Sequence, residues 1–178
     1  MQQSWRQSPS RRADTWPQSD HITWTFPGTP FTEKDEITVE WFDGRIYPPE
    51  EAKKWYPGKT YPPESALMVG TEGAVLIPNG GGAMLLPRDQ YKGTAQPKLE
   101  TRNHYHHFLD AIGGLAKNES YFEQTGPMTE AILLGTVAIR TPGEKLTWNA
   151  KSLAITDNPK AHKLLKREYR DGWQVAGF

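Results

Sequence analysis

A chain of 178 residues is long enough for one domain with a sizeable core and short for two independent ones, so a single folded unit is expected. Lys plus Arg equals Asp plus Glu at 21 each, which leaves no strongly basic field to draw nucleic acid, and the lack of cysteine excludes disulfides, thiolate metal sites and a cysteine nucleophile. Apolar residues are sparse at 36% while Gly (16), Pro (15) and Trp (7) are plentiful, a balance that predicts short strands, many turns and a few aromatic anchors, and no run approaches the roughly 20 apolar residues that span a bilayer.

Residues 1–20, rich in Gln, Ser and Arg with Trp5 and Trp16 as anchors, predict a polar arm rather than an element, and Met1 to Ser10 shows no apolar leader core. The folded domain is expected over 21–178. His21 to Phe26 alternates, placing Ile22, Trp24 and Phe26 on one face of a strand that Pro27-Gly28 stops. Ile37 to Phe42 alternates likewise, and Asp43-Gly44 supplies a two-residue hairpin turn before a return strand Arg45-Ile46-Tyr47. Residues 48–63, with five prolines, predict a long irregular loop. Ala66 to Gly70 and Ala74 to Ile77 form a second hairpin around Thr71-Glu72-Gly73, and a third strand from Ala83 to Leu86 completes a meander.

From Thr101 the period changes. Tyr105, Phe108, Leu109 and Ile112 make one apolar stripe on a helix that Gly113-Gly114 ends. Thr129 reads as the N-cap of a second helix whose residues 131–139 are apolar almost all round, which predicts near-complete burial. Leu146 to Trp148 and Leu153 to Ile155 read as short strands, and Asn158-Pro159 opens a third helix through Lys166. Together these predict an α+β fold: an open mixed, mostly antiparallel sheet of about six to eight strands, with helices near 101–113, 129–140 and 158–167 on one face.

The most conspicuous chemical cluster is Asn103-His104-Tyr105-His106-His107-Phe108-Leu109-Asp110. On a helix His104 and His107 share a face and His106 meets Asp110, spacings that suit metal ligands or a general base and equally suit a plain solvent-side stripe. Trp41 to Tyr47 combines aromatic faces, a carboxylate and a guanidinium around one turn, the residue types that hold a sugar by stacking and paired hydrogen bonds. An ordinary hairpin would use the same residues. Asn79-Gly80-Gly81-Gly82 lacks the Lys-Ser/Thr ending of a phosphate loop and precedes a strand, so it reads as a turn, and Asn118-Glu119-Ser120 fits a glycosylation acceptor only in a secreted eukaryotic protein.

Several phrases, in order, resemble the carboxyl-terminal domain of the bacterial branch of the Gfo/Idh/MocA oxidoreductases. They are Ile22 to Pro27, Val39 to Gly44, Met68 to Gly73, Leu85 to Pro87, Phe108 to Ile112, Thr129 to Ala138, Leu146 to Asn149 and Tyr169 to Trp173. The resemblance covers nearly the whole chain after residue 20 and implies an α+β domain, related to the glyceraldehyde-3-phosphate dehydrogenase-like carboxyl-terminal domain, that packs helices on one sheet face and oligomerises through the other. It matches none of the family's cofactor glycine motif, its Glu-Lys-Pro lysine or its catalytic His, so it implies no catalytic residue here.

What the resemblance implies is hydride transfer between NAD or NADP and a hydroxyl of a sugar or cyclitol. The cofactor would be held by a Rossmann domain that this sequence does not match, and this chain would form one wall of the pocket and bind no cofactor or metal alone. Asp43, Arg45, Tyr47 and His104 are the candidate substrate contacts, and a homo-oligomer through the sheet is the expected assembly in a bacterial cytoplasm or periplasm. Two alternatives stand beside it: a stand-alone carbohydrate-binding module using Trp and Tyr platforms, and a His-based metal hydrolase.

Overall fold

The computed structural model describes residues 16–57, 60–95 and 97–176, and the backbone of 2–6. It is an α+β fold, but in two compact units rather than one: residues 1–47 with 120–178, and residues 48–119. The single sheet expected is correspondingly two, of five and three strands, and every described ladder is antiparallel.

In the first unit the five-stranded sheet runs β3-β2-β1-β7-β8, with β1 Gln2–Arg6, β2 His21–Pro27, β3 Glu36–Phe42, β7 Leu146–Asn149 and β8 Ala154–Ile155. A strand at Gln2–Arg6 departs from the reading of 1–20 as an arm: its backbone fills the sheet between β2 and β7. Trp5's side chain lies outside the described residues. The alternation of β2 buries Ile22 and Trp24 against helix α3, Phe122–Arg140, as the sequence pattern predicts. Contact is close enough to require a glycine, since a Cβ on Gly135 would lie 2.6 Å from the Trp24 ring. Trp24 Nε1 donates to Ala131 O at 2.9 Å, which satisfies the indole where it is buried. Leu146, Ile155 and Ala161 of helix α4, Pro159–Lys163, extend the same core.

Helix α3 begins seven residues before the expected cap. Thr129 is inside it, its hydroxyl bonded to Thr125 O at 2.8 Å, and Pro127 is inside it too. Proline removes only one rung near the start of a long helix, and tertiary packing of the later turns outweighs that loss. Burial is one-sided rather than complete: Leu134, Val137, Ala138 and Ile139 are buried, whereas Ile132 and Leu133 are exposed. Helix α4 starts as expected, with the Asn158 side chain accepting from Lys160 and Ala161 N–H, and ends at Lys163 rather than Lys166.

The second unit is the expected meander, β4 Ser65–Val69, β5 Ala74–Pro78 and β6 Met84–Leu86 in the order β4-β5-β6, closed by a Gly70 N–H bond to Gly73 O. Its small core, Ala74, Leu76 and Leu86, is packed by Trp55, Tyr56 and Tyr61 from the Pro-rich segment, which is not wholly irregular but holds a one-turn helix α1, Glu50–Lys53. The run Asn79–Gly82 is a turn between β5 and β6. Helix α2, His104–Ile112, is capped by Asn103, whose side chain accepts from Tyr105 and His106 N–H. It ends on Gly114 at φ +73°, with Leu115 N–H to Asp110 O and Gly114 N–H to Ala111 O, the paired bonds of a Schellman motif. Among the described residues no helix is long and apolar enough to cross a membrane.

Candidate functional site

The end of β3 holds three of the four candidate contacts. β2 and β3 pair in register from Pro27↔Glu36 to His21↔Phe42, and Asp43 N–H continues the ladder to Asp20 O at 2.9 Å. The chain then turns away. Gly44 has φ +69°, and a Cβ there would stand 2.1 Å from Gln18 O, so only glycine fits between the turn and residues 18–19. Asp43 Oδ1 accepts from Gly44 N–H at 2.6 Å and Ile46 N–H reaches Asp43 O at 3.3 Å. The Asp-Gly pair therefore makes a turn that packs on the strand before it, and the return strand expected at Arg45-Ile46-Tyr47 does not form.

Around this turn the polar groups are unevenly satisfied. Asp43, Arg45 and Tyr47 are exposed, with one oxygen of Asp43 committed to its own turn. Asp20 is buried, and its Oδ1 has no hydrogen-bond partner among the described residues. Burial, and then the neighbouring Asp43 carboxylate, raise the Asp20 pKa above the ordinary carboxylate value, since both disfavour its charged form. Beside it His21 Nε2 lies 2.9 Å from Glu40 Oε1 and the imidazole stacks on Phe42 at 4.3 Å. The sequence reading missed Asp20, His21 and Glu40; a lone Asp at the end of a polar stretch carries no signal that it will be buried.

His104, the fourth candidate, belongs to the other unit, at the first turn of α2. It is exposed, with its ring 3.9 Å from that of Tyr105. His107 faces Arg102, Nη1 to Nδ1 at 3.4 Å, and Arg102 also pairs with Glu119. A guanidinium at that distance opposes a metal cation at His107. Among the described residues no group of three His, Cys, Asp or Glu is placed to hold a metal ion. The glycine run Asn79–Gly82, lying between two strands, offers no helix amino terminus to a diphosphate.

The apolar stripe of α2 is exposed along its length: Tyr105 at 70%, Phe108 at 57%, Leu109 at 63% and Ile112 at 69%. The predicted helix and its predicted face are both present, and the face is uncovered. Comparison with protein-family models, with curated proteins and with solved structures gives no match to this chain.

Proposed function

We propose that this chain is the substrate-side and oligomerisation domain of an NAD(P)-dependent sugar or cyclitol oxidoreductase, with the cofactor held by a separate Rossmann half. The uncovered stripe of α2 is the observation that carries the reading: a domain that shares a catalytic crevice with another domain needs an apolar surface for it to dock on. The ordered run of phrases similar to the Gfo/Idh/MocA carboxyl-terminal domain supports it independently.

A nicotinamide held by that separate half would supply the hydride acceptor for the carbinol carbon. This chain's part is to bind and orient hydroxyls. In the first unit Asp43 has one carboxylate oxygen beyond its own turn bond, Arg45 presents a guanidinium fork and Tyr47 a ring with a polar tip, groups that grip a polyol, while His104 offers a ring of the same kind on the second unit by itself. The reading assigns the chain no cofactor, no catalytic residue and no turnover by itself.

Fluorescence titration of the purified chain with NADH and NADPH is the deciding experiment. No saturable binding is expected, and tight binding of either would overturn the reading by revealing a nucleotide site on this chain. Saturable binding of sugars without cofactor would instead favour a carbohydrate-binding module. In a chain rejoined to a cofactor-binding half, Arg45→Ala should raise KM roughly tenfold, the worth of one charge-assisted hydrogen bond.

A further inference from the structure

Strand β3 lies at the edge of its sheet, and among the described residues no strand pairs with its outer side. Edges are normally blunted by shortness, lysine, proline or a bulge. β3 has none of these: its seven residues pair with β2 without interruption and read Glu-Ile-Thr-Val-Glu-Trp-Phe. Its face is unprotected too. Ile37, Val39 and Trp41 stand opposite Phe26, Trp24 and Ile22, so they share the face that α3 covers on β2, yet they remain 41%, 45% and 56% exposed. On α3 itself, Glu130 reaches Trp148 of β7, so exposed Ile132 falls on the opposite flank, toward β3.

The ladder fixes which backbone groups the edge offers. Asp43 N–H bonds to Asp20 O and Gly28 N–H to Asp35 O, so the odd-numbered residues of β3 point toward β2. By alternation Glu36, Thr38, Glu40 and Phe42 turn N–H and C=O outward. We propose that β3 pairs antiparallel with β3 of a second copy of this chain about a two-fold axis at Val39, joining the two five-stranded sheets.

Register selects that axis. Centred on Val39, Ile37 faces Trp41 of the second copy, Val39 faces Val39, Thr38 faces Glu40 and Glu36 faces Phe42: apolar meets apolar on one face, and no two carboxylates oppose on the other. Shifting by two residues sets Glu36 against Glu40, or Glu40 against Glu40, and like charges directly opposite are destabilising. A shift by one would set the outward backbone groups of even-numbered residues against odd-numbered residues whose groups already bond to β2, so no ladder would form. This rests on the proposed reading only in naming the surface for its oligomerisation, and its test involves neither cofactor nor sugar.

The chain has no cysteine, so a single introduced thiol reports the register. Val39 would face its own copy in a non-hydrogen-bonded pair, with Cα atoms about 4.5 Å apart, within disulfide reach. Ile37 would lie about 14 Å from Ile37 of the second copy, at ~3.4 Å per residue. Mild oxidation should therefore cross-link Val39→Cys into a covalent dimer and leave Ile37→Cys and Trp41→Cys monomeric in denaturing gels. Light scattering should find the unmodified protein dimeric, and Thr38→Pro, which removes an outward N–H and spares the β2 ladder, should be monomeric with an unchanged circular dichroism spectrum. Thr38→Lys, set against Glu40 of the second copy, should tighten the dimer severalfold at low salt. A monomeric wild type overturns the proposal, as does a dimer in which Ile37→Cys cross-links as well as Val39→Cys. Dimerisation through another surface sinks this inference alone; cofactor binding sinks the oxidoreductase reading alone.

Discussion

Helix α2 carries the cleaner apolar stripe, yet Tyr105, Phe108, Leu109 and Ile112 are all exposed; helix α3, apolar almost all round, buries Val137, Ala138 and Ile139 in the core it shares with the sheet. An amphipathic period reports that a face favours cover, and says nothing about whether the same chain supplies it. For α3 the cover is β2, whose Trp24 fits over Gly135 where any other residue would collide. For α2 the stripe stays exposed, and that exposure is the observation on which the functional proposal rests.

The largest expected effect would break the covered side of this comparison. Trp24→Ala removes an indole buried against α3 together with its bond to Ala131 O and should cost about 3–5 kcal/mol, read as a lower urea midpoint for the first unit. Next, paired truncations sharpen the contrast: Leu134→Ala should cost about 2–5 kcal/mol, while Leu109→Ala, on the exposed stripe, should stay within roughly 0.5 kcal/mol. Equal losses in the two would mean that α2 is packed as tightly as α3, and the docking surface would be lost as an explanation.

Smaller effects probe what holds α2 without a covered face. Asn103→Ala removes the side chain that accepts from two backbone N–H groups and should cost about 1 kcal/mol, seen as faster amide exchange in the first turn of α2. The smallest effect is expected at Asp20. Its folded pKa is raised, so its contribution is fully present below the unfolded carboxylate pKa and declines as pH rises through the folded value, where the native state must hold an ionised, buried carboxylate beside Asp43. Asp20→Asn should flatten that decline, making the variant relatively more stable at neutral pH than in acid. A wild type and variant with parallel stability curves would remove Asp20 as the source.

Much of the fold was readable where a local signal had a local cause. β2 announced itself by Ile22, Trp24 and Phe26, and α2 and α4 by the Asn caps that the structure shows accepting two N–H bonds each. The start of α3 was not readable, because Gly126-Pro127 looks like a boundary and is tolerated only through packing made later in the helix. Nor was the division into two units: nothing in one strand's own pattern says which others it will join. At the site, the Asp43-Gly44 turn was visible in sequence but its direction was not. That depends on residues 18–20, which the alternation never mentions.

The bond from Trp24 to Ala131 spans 107 residues, and the whole of the second unit lies on the chain between its two ends. Order of assembly follows from that separation. The meander β4-β5-β6 forms from neighbouring hairpins and needs no distant partner, whereas α3 can reach β2 only by closing a loop whose entropy cost grows by about 0.6 kcal/mol for each doubling of length. Stopped-flow refolding should resolve a fast phase in the tyrosine-rich second unit and a slower one that quenches or shifts Trp24, so that the segment in the middle of the sequence is structured before the ends that enclose it.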